Sequence, residues 1–218
     1  MNIAVIQISE AGSTIAQTLQ RELGAKTIQR VDVGSQWKQF DAFVFIGAMG
    51  ICVRTIAPYI EDKHIDPAVV CVDSFGNHVI SVLSGHIGGA NDLTKHIAGA
   101  LGVDPIITTQ SDNAGLWALD IIYENYDWQM SYVGNLNTAI GKFVNREPVA
   151  LLLDIRDEGT DYLERTCPQH VTIVNTVDEI MEELHLQRAI SRVLSTPRMC
   201  LTPTARPIRT TLSSPLRM

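Results

Sequence analysis

Two glycine-rich segments contain the side chains whose types and spacing could support chemistry. The first follows an apolar run and carries Gly47, Met49, Gly50 and Arg54. Backbone amides at glycines and at the start of a helix bind anions, and an arginine one turn further on can hold a carboxylate at two points. The pattern therefore predicts an anion-binding loop. A surface ion pair between Arg54 and the acidic residues that follow the helix fits the pattern equally well.

The second segment carries Ser84 and His86, followed by Gly88, Gly89 and Asn91. A histidine between a strand and a glycine turn is partly exposed, and it can act as an acid or a base near neutral pH. The G-x-S-x-G elbow of serine hydrolases does not occur here, so the pattern does not indicate a serine triad. The structural alternative is a histidine that only caps the helix or fixes the turn.

Both segments have the pattern of a strand, a glycine turn and a helix. Ala42–Ile46 and Val79–Leu83 have the length and β-branched content of buried strands, and the helices that follow point their positive ends at the turns. The second helix is predicted over residues 90–101 from its apolar spacing. That spacing places Asn91 and Lys95 on the face turned away from the core.

A hairpin and a further strand add residues to the same predicted cleft. The turn at Ser74–Asn77 predicts a β-hairpin, which brings Asp73 and His78 to one edge. Thr108 and Thr109 follow another predicted strand, at the position where open α/β sheets bind ligands. We therefore expect all of these loops to line a single cleft. The arginine and the histidine of the two glycine segments would then both lie in its walls.

The apolar pattern predicts an α/β fold, with a mostly parallel open sheet that includes the hairpin and with a second, smaller α/β domain. We assign residues 1–127 to the first domain and 135–194, with a final helix over 177–193, to the second. Residues 195–218 are basic and rich in Pro, Ser and Thr, which predicts a linker or an extended arm. The chain before this tail has 13 basic and 24 acidic groups.

Composition excludes several classes of protein. A formal net charge of −7 over 218 residues argues against a general nucleic-acid binder. No apolar run reaches the roughly 18 residues of a membrane span, and the start of the chain lacks the features of a signal peptide, so we expect a cytoplasmic protein. The four cysteines are scattered without metal-site spacing, and we expect them to be reduced and no metal to be bound.

Several segments together resemble the CbiG family, the cobalt-precorrin-5A hydrolases of anaerobic cobalamin (vitamin B12) biosynthesis. The similar segments are residues 47–58, the strand start at 66–70, the run 84–91 and the threonine pair at 108–109, which recur in order and at compatible spacing. Over residues 135–194 the resemblance is weaker and is to the family's central domain. Family members usually continue into a third, C-terminal domain, where this sequence has its basic tail.

The resemblance implies a hydrolase that opens the ring-A δ-lactone of a cobalt-precorrin, a tetrapyrrole, and releases acetaldehyde. The cobalt would belong to the substrate, and the protein would need no cofactor of its own. We expect the catalytic residues to be His86, Asp73 and Ser84, which would activate or orient water. The groups expected to bind substrate carboxylates or the lactone oxyanion are Gly47, Met49, Gly50, Arg54, Gly88, Gly89, Asn91, Thr108 and Thr109.

Two questions stay open at the level of sequence. The chain could instead be a non-catalytic module that binds a corrinoid intermediate and needs a separate C-terminal domain, or another enzyme of the pathway, for activity. A homodimer is a further possibility. A binding module would retain affinity for cobalt-precorrin when His86 is replaced, whereas an enzyme would lose turnover.

Overall fold

A computed structural model describes residues 1–126, 128–153, 155–176, 178–179 and 198–203. The chain divides into two compact units, Met1–Ile121 and Ile122–Met218. The helix predicted over 177–193 lies outside the described residues, apart from 178–179. Residues 204–218 of the predicted tail also lie outside them. No helix in the described ranges is long and apolar enough to cross a bilayer. The predicted α/β class is confirmed, with a mostly parallel sheet in the first unit and smaller sheets in the second.

The first unit contains a six-stranded sheet with the strand order β2-β1-β3-β4-β5-β6. Its elements in chain order are β1 (Ile3–Gln7), α1 (Ser13–Leu23), β2 (Lys26–Thr27), α2 (Val33–Gln36), β3 (Ala42–Ile46), α3 (Met49–Ile56), β4 (Ala68–Val72), β5 (Val79–Leu83), α4 (Ala90–Leu101), β6 (Pro105–Ile106) and α5 (Gln110–Ala114).

Apolar side chains cover both faces of this sheet, which is why its central strands are continuously apolar rather than alternating. On one face, residues such as Val44 and Val70 pack with the buried sides of α1 and α4. On the other face, Phe43 and Phe45 pack with Trp37 and with the buried side of α3. The core therefore holds both glycine segments on rigid strands.

The direction of β5 separates the two glycine segments. β4 runs parallel to β3, with Ile46 beside Val72, but β5 runs antiparallel to β4, so that Val72 pairs with Val79 and Leu83 lies at the other end of the sheet, beside Val69. β6 is parallel to β5. We call the end after β3 the Gly47 edge and the end after β5 the His86 edge. Five strand residues lie between them, which is roughly 13 Å or more.

The second unit has two small sheets. β7 (Trp128–Val133) pairs antiparallel with β10 (Arg198–Pro203), so residues 198–203 of the predicted tail form a strand. β8 (Val149–Leu152) pairs parallel with β9 (Val171–Val174). Two helices, α6 (Leu136–Val144) and α7 (Glu158–Arg165), complete the described part of this unit. Their N-termini are capped by Asn135, which accepts from the Thr138 amide, and by the capping box of Asp157 and Thr160.

Candidate active site

The predicted anion-binding loop lies at the Gly47 edge. The Gly47 amide donates to the carbonyl of Val72 at 2.8 Å, and a Cβ at Gly47 would lie 2.8 Å from the side chain of Ile8. This glycine is thus required by close packing. The Arg54 side chain is exposed and folds back over Gly50, with its Nη1 3.4 Å from the position of a Cβ on that glycine. Met49 begins α3 at the same edge.

Asp73 also lies at the Gly47 edge, in the hairpin that the sequence predicts. Its carboxylate accepts from the amide of Phe75 at 2.8 Å and from the amide of His78 at 2.6 Å, and the ring Nδ1 of His78 lies 3.2 Å away. Burial raises the pKa of Asp73, but these hydrogen bonds outweigh burial and leave the pKa below its ordinary value. The expectation that Asp73 assists His86 is wrong, because the antiparallel β5 puts them at opposite edges.

His86 lies at the other edge, with a carboxylate at each ring nitrogen. Its Nε2 is 2.8 Å from Oδ2 of Asp112, and its Nδ1 is 3.1 Å from Oδ1 of Asp120. The hydroxyl of Ser111 is 3.3 Å from the same Nε2. The side chains of His86, Asp112 and Asp120 are 15%, 25% and 11% exposed. A half-buried imidazole is therefore held by two half-buried acids from a distant part of the sequence.

These contacts favour the charged form of the ring. The hydrogen bond to Asp120 raises the pKa of His86; burial lowers it, but the hydrogen bond to Asp112 and the two negative charges add to the increase, and the net shift is upward. Burial raises the pKa of Asp120, but the hydrogen bond and charge of His86 outweigh it, so the net shift is downward. The ring thus lies between two carboxyl groups, and the contacts with them favour its protonated form.

Asn91 fixes the position of this cluster. Its side-chain NH2 donates to Oγ1 of Thr109 at 2.9 Å and to Oδ2 of Asp112 at 3.0 Å, and its Oδ1 accepts from the Ser81 hydroxyl at 2.7 Å. The prediction that Asn91 faces away from the core is wrong: it is only 3% exposed, because polar groups of β5 and of the first turn of α5 need its amide as a partner. Its hydrogen-bonding groups are all in use, so it positions other residues.

The amides at the start of α4 are used within the loop. The Gly89 amide donates to the carbonyl of His86 at 2.8 Å, and the next two amides donate to the carbonyls of Ser84 and Gly85. A Cβ at Gly88 would lie 2.4 Å from the Cβ of Ser84, so Gly88 is required by packing. Gly89 is thus committed to the turn, and its predicted contact with substrate would need this hydrogen bond to break.

Ser84 has an unusual conformation. Its φ is 55°, in the left-handed region, and within the described residues its buried hydroxyl has no hydrogen-bond partner. Residues in such strained conformations cluster at active sites. The buried hydroxyl nevertheless has no base beside it, so the geometry gives Ser84 no nucleophilic role. Thr108 is exposed next to Thr109.

A cavity of about 120 Å³ opens beside His86. Its lining has five polar or charged residues, His86, Asn91, Asp92, Lys95 and Asp112, and four apolar ones, Gly85, Leu116, Ala118 and Ile121. Small-molecule sites typically measure about 300–1,000 Å³. This cavity can therefore admit one substituent or one edge of a large ligand. In the described residues, no group of three or more His, Cys, Asp and Glu side chains forms a metal site.

Sequence reasoning located His86 but not its partners. Asp112 follows the predicted polar loop at Thr108 and Thr109, so its proximity to the strand end was the available signal. Asp120 lies in a turn at residues 119–121, and nothing in its local sequence pattern distinguishes it. The expected single cleft does not form within the first unit, because the loops at Gly47 and His86 lie at opposite ends of the sheet.

The open sheet and the polar cavity beside His86 define an α/β protein with an acid–base cluster at the carboxyl ends of two strands. Residues 32–112 match the family model described as cobalamin synthesis G N-terminal, and residues 117–212 match the one described as cobalamin biosynthesis central region. Both models describe regions of one family. The chain belongs to the CbiG family.

Two curated relatives are both named cobalt-precorrin-5A hydrolase. The one from Priestia megaterium is 33% identical over 173 residues, which are 79% of this chain and 46% of that protein. The one from Salmonella typhimurium is 51% identical over 107 residues, which are 49% of this chain and 29% of that protein. The chain thus spans less than half the length of either relative.

A crystal structure from Sulfolobus solfataricus, described as that of a cobalamin biosynthesis protein G homologue, is also similar. It is 26% identical, and the match covers 80% of this chain and 55% of that chain with a TM-score of 0.46.

Proposed function

We propose that this chain hydrolyses the ring-A lactone of cobalt-precorrin-5A, with release of acetaldehyde from the opened product. Membership of the CbiG family and the names of the two relatives support this choice of reaction. The observation that carries the assignment of the site is the contact of 2.8 Å between His86 and Asp112, both in the wall of the cavity. The cobalt belongs to the substrate, and the proposed reaction needs no cofactor bound by the protein.

Hydrolysis of a lactone needs one group that takes a proton from water and another that gives a proton to the departing oxygen. We assign the first task to Asp112 and the second to the imidazolium of His86. The oxygen of water forms a bond to the lactone carbonyl carbon as Asp112 accepts its proton. The ring C–O bond then breaks, and its oxygen takes the Nε2 proton of His86. Transfer of the proton from Asp112 to His86 restores the starting state. Release of acetaldehyde then breaks a C–C bond: the freed hydroxyl loses its proton and becomes the carbonyl of acetaldehyde, and the electron pair of the broken bond stays on the macrocycle, which takes up a proton.

Asp120 acts behind the ring. It contacts Nδ1 at 3.1 Å but does not line the cavity, so it orients the imidazole without touching substrate. A carboxylate at the far nitrogen also stabilises the imidazolium that the reaction needs. We therefore assign Asp120 a positioning role.

The size of the cavity limits how a tetrapyrrole could bind. A volume of about 120 Å³ accommodates the lactone corner of the macrocycle, and the remainder of the ring must lie outside. The predicted substrate-binding roles of Gly47, Met49, Gly50 and Arg54 stay predictions, and at the opposite edge these groups could not contact the same corner of the substrate.

A second candidate is the binding module without turnover. It is favoured by one observation: each ring nitrogen of His86 already contacts a carboxylate in this structure. Under this proposal the chain binds cobalt-precorrin and passes it to a separate domain or enzyme. Binding would then be unchanged in the variant His86→Gln.

The test is acetaldehyde release from cobalt-precorrin-5A by the purified chain. Acetaldehyde release is measured with the chain alone. It is measured again after the part of the Priestia megaterium relative that lies outside the match has been added as a separate protein. We expect turnover in at least one of these conditions, and a decrease of about 10²–10⁴-fold in kcat for His86→Gln, the usual contribution of general acid–base catalysis. His96→Gln, an exposed histidine on the same helix as Asn91, is the matched control and should keep full activity. Tight binding without acetaldehyde in either condition would instead support the binding module.

A further inference from the structure

Lys95 lies at the mouth of the cavity beside the acid–base cluster. Its Nζ is 3.0 Å from Oδ1 of Asp92 and 3.6 Å from Oδ1 of Asp112, and its side chain is 51% exposed. The other oxygen of Asp112 contacts His86, so this one carboxylate lies between the lysine and the histidine. The prediction that Lys95 faces away from the core agrees with its exposure, but the same face borders the cavity.

The other polar donors of the described cavity wall already have partners. Both ring nitrogens of His86 contact carboxylates, and the side-chain NH2 of Asn91 donates to Thr109 and Asp112. The backbone amides at the start of α4 donate to carbonyls of the preceding loop. An ammonium has three N–H groups, and the two contacts of Lys95 leave one of them for a ligand.

The surroundings keep this lysine charged. The hydrogen bond with Asp92 raises the pKa of Lys95, and although burial lowers it, the charges of Asp92 and Asp112 bring the net shift upward. The lysine therefore presents a positive charge at every pH at which the protein would work. Its remaining N–H group can therefore stabilise new negative charge on a substrate oxygen.

We propose that Lys95 is a further catalytic residue, whose ammonium binds the carbonyl oxygen of the lactone and stabilises the oxyanion formed when water adds. This inference rests on the proposed function. Because Asp112 lies between Lys95 and His86, water held by Asp112 would be adjacent to a carbonyl bound by Lys95. A donor directed at the developing oxyanion is one of the largest contributions to acyl-transfer catalysis.

The carboxylates of the cavity also indicate which part of the substrate enters. Asp92 and Asp112 in the cavity lining already pair with Lys95 and His86, so an incoming carboxylate arm would find an acidic surface and little unpaired positive charge. An uncharged lactone needs only one donor for its carbonyl oxygen. The geometry thus favours the neutral lactone corner over the carboxylate arms of the macrocycle.

The test compares Lys95→Gln and Lys95→Arg with the wild-type chain, under whichever of the two assay conditions supports wild-type acetaldehyde release. We expect Lys95→Gln to lower kcat by about 10²–10³-fold with little change in KM, because the contact is made to charge that develops after binding. Lys95→Arg, which keeps the charge, should retain more activity than Lys95→Gln. Lys38→Gln is the matched control, because Lys38 also forms an exposed ion pair, at 2.8 Å to Glu61.

The outcomes separate this inference from the proposed function. Active wild-type protein with an equally active Lys95→Gln variant would overturn the role of Lys95 alone. A raised KM with unchanged kcat would also overturn it, because that result describes simple binding. If the wild-type chain releases no acetaldehyde in either condition, the proposed function and this inference both fail. Urea midpoints equal to that of the wild type would establish that a loss of kcat is not a loss of folding.

Discussion

At the scale of single residues, the environment of His86 depends on contacts that are far apart in the sequence. Its two carboxylate partners come from 26 and 34 residues further along the chain. A local pattern of strand, glycine turn and helix can place the histidine, but it contains no information about which later residue meets the ring. The contacts of both acids with the ring were therefore not predictable, although the type and place of the histidine were, and the position of Asp112 after a predicted strand end placed that residue near a loop of the site.

The variant Asp120→Asn tests the charge on this ring. Loss of the Asp120 charge should lower the titration midpoint of His86, measured by NMR of the ring protons, relative to the wild type. It should also destabilise the fold by about 1–3 kcal/mol where the pair is charged, because a half-buried partner is lost.

The direction in which folding stability changes with pH follows from the pKa shifts of His86 and Asp120. The pKa of His86 is raised on folding, so its contribution to stability is complete below its unfolded value of about 6.5 and is lost as pH rises through the folded pKa. The pKa of Asp120 is lowered, so its contribution is present above about 3.9 and is lost as pH falls through its folded pKa. The difference in unfolding free energy between wild type and Asp120→Asn should thus be greatest near pH 5.5 and smaller at a pH above the folded-state titration midpoint of His86 that NMR measures. An equal difference at both pH values would contradict the charged pair, and Asp104→Asn, at an exposed site, is the control.

At the scale of elements, the strands and the helix α4 were predictable because each is encoded by its own apolar spacing. The hairpin was also predictable, from its turn residues and the flanking apolar runs. The prediction that the loops of these elements line a single cleft was wrong. The rule that strand ends meet at one edge holds for parallel strands, whereas the hairpin reverses β5 and β6 and takes His86 to the opposite edge.

The loop between β5 and α4 offers a test at this scale through Ser84 and Gly88. Ser84 has a φ of 55° and a buried hydroxyl without a partner among the described residues, so Ser84→Gly should stabilise the fold by about 1 kcal/mol. A Cβ at Gly88 would lie 2.4 Å from that of Ser84, so Gly88→Ala should destabilise it by about 1–3 kcal/mol.

Gly99→Ala is the matched control for Gly88→Ala. Gly99 lies within α4, and a Cβ there would have nothing within 4 Å, so the variant should be neutral or stabilise the helix by up to about 1 kcal/mol. Urea denaturation of the three variants measures these effects. A destabilised Ser84→Gly variant or a Gly88→Ala variant as stable as Gly99→Ala would contradict the packing described for this loop.

At the scale of the whole molecule, the first unit has polar groups at both ends of its sheet. The Gly47 edge contains the exposed Arg54 and the hairpin turn with Asp73, whereas the His86 edge contains the cavity and the acid–base cluster. The sequence resembles its family at both edges. We propose proton transfer at the His86 edge only.

The most direct measurement is acetaldehyde release from cobalt-precorrin-5A by two variants, Asp112→Asn and Arg54→Gln, in the assay that supports wild-type turnover. Asp112→Asn should lower kcat by about 10²–10⁴-fold, because the amide cannot accept the proton of water. Arg54→Gln should keep kcat near that of the wild type, since Arg54 lies at the opposite edge. Full turnover by Asp112→Asn, or a collapse of kcat in Arg54→Gln with an unchanged urea midpoint, would contradict the assignment of the chemistry to the His86 edge.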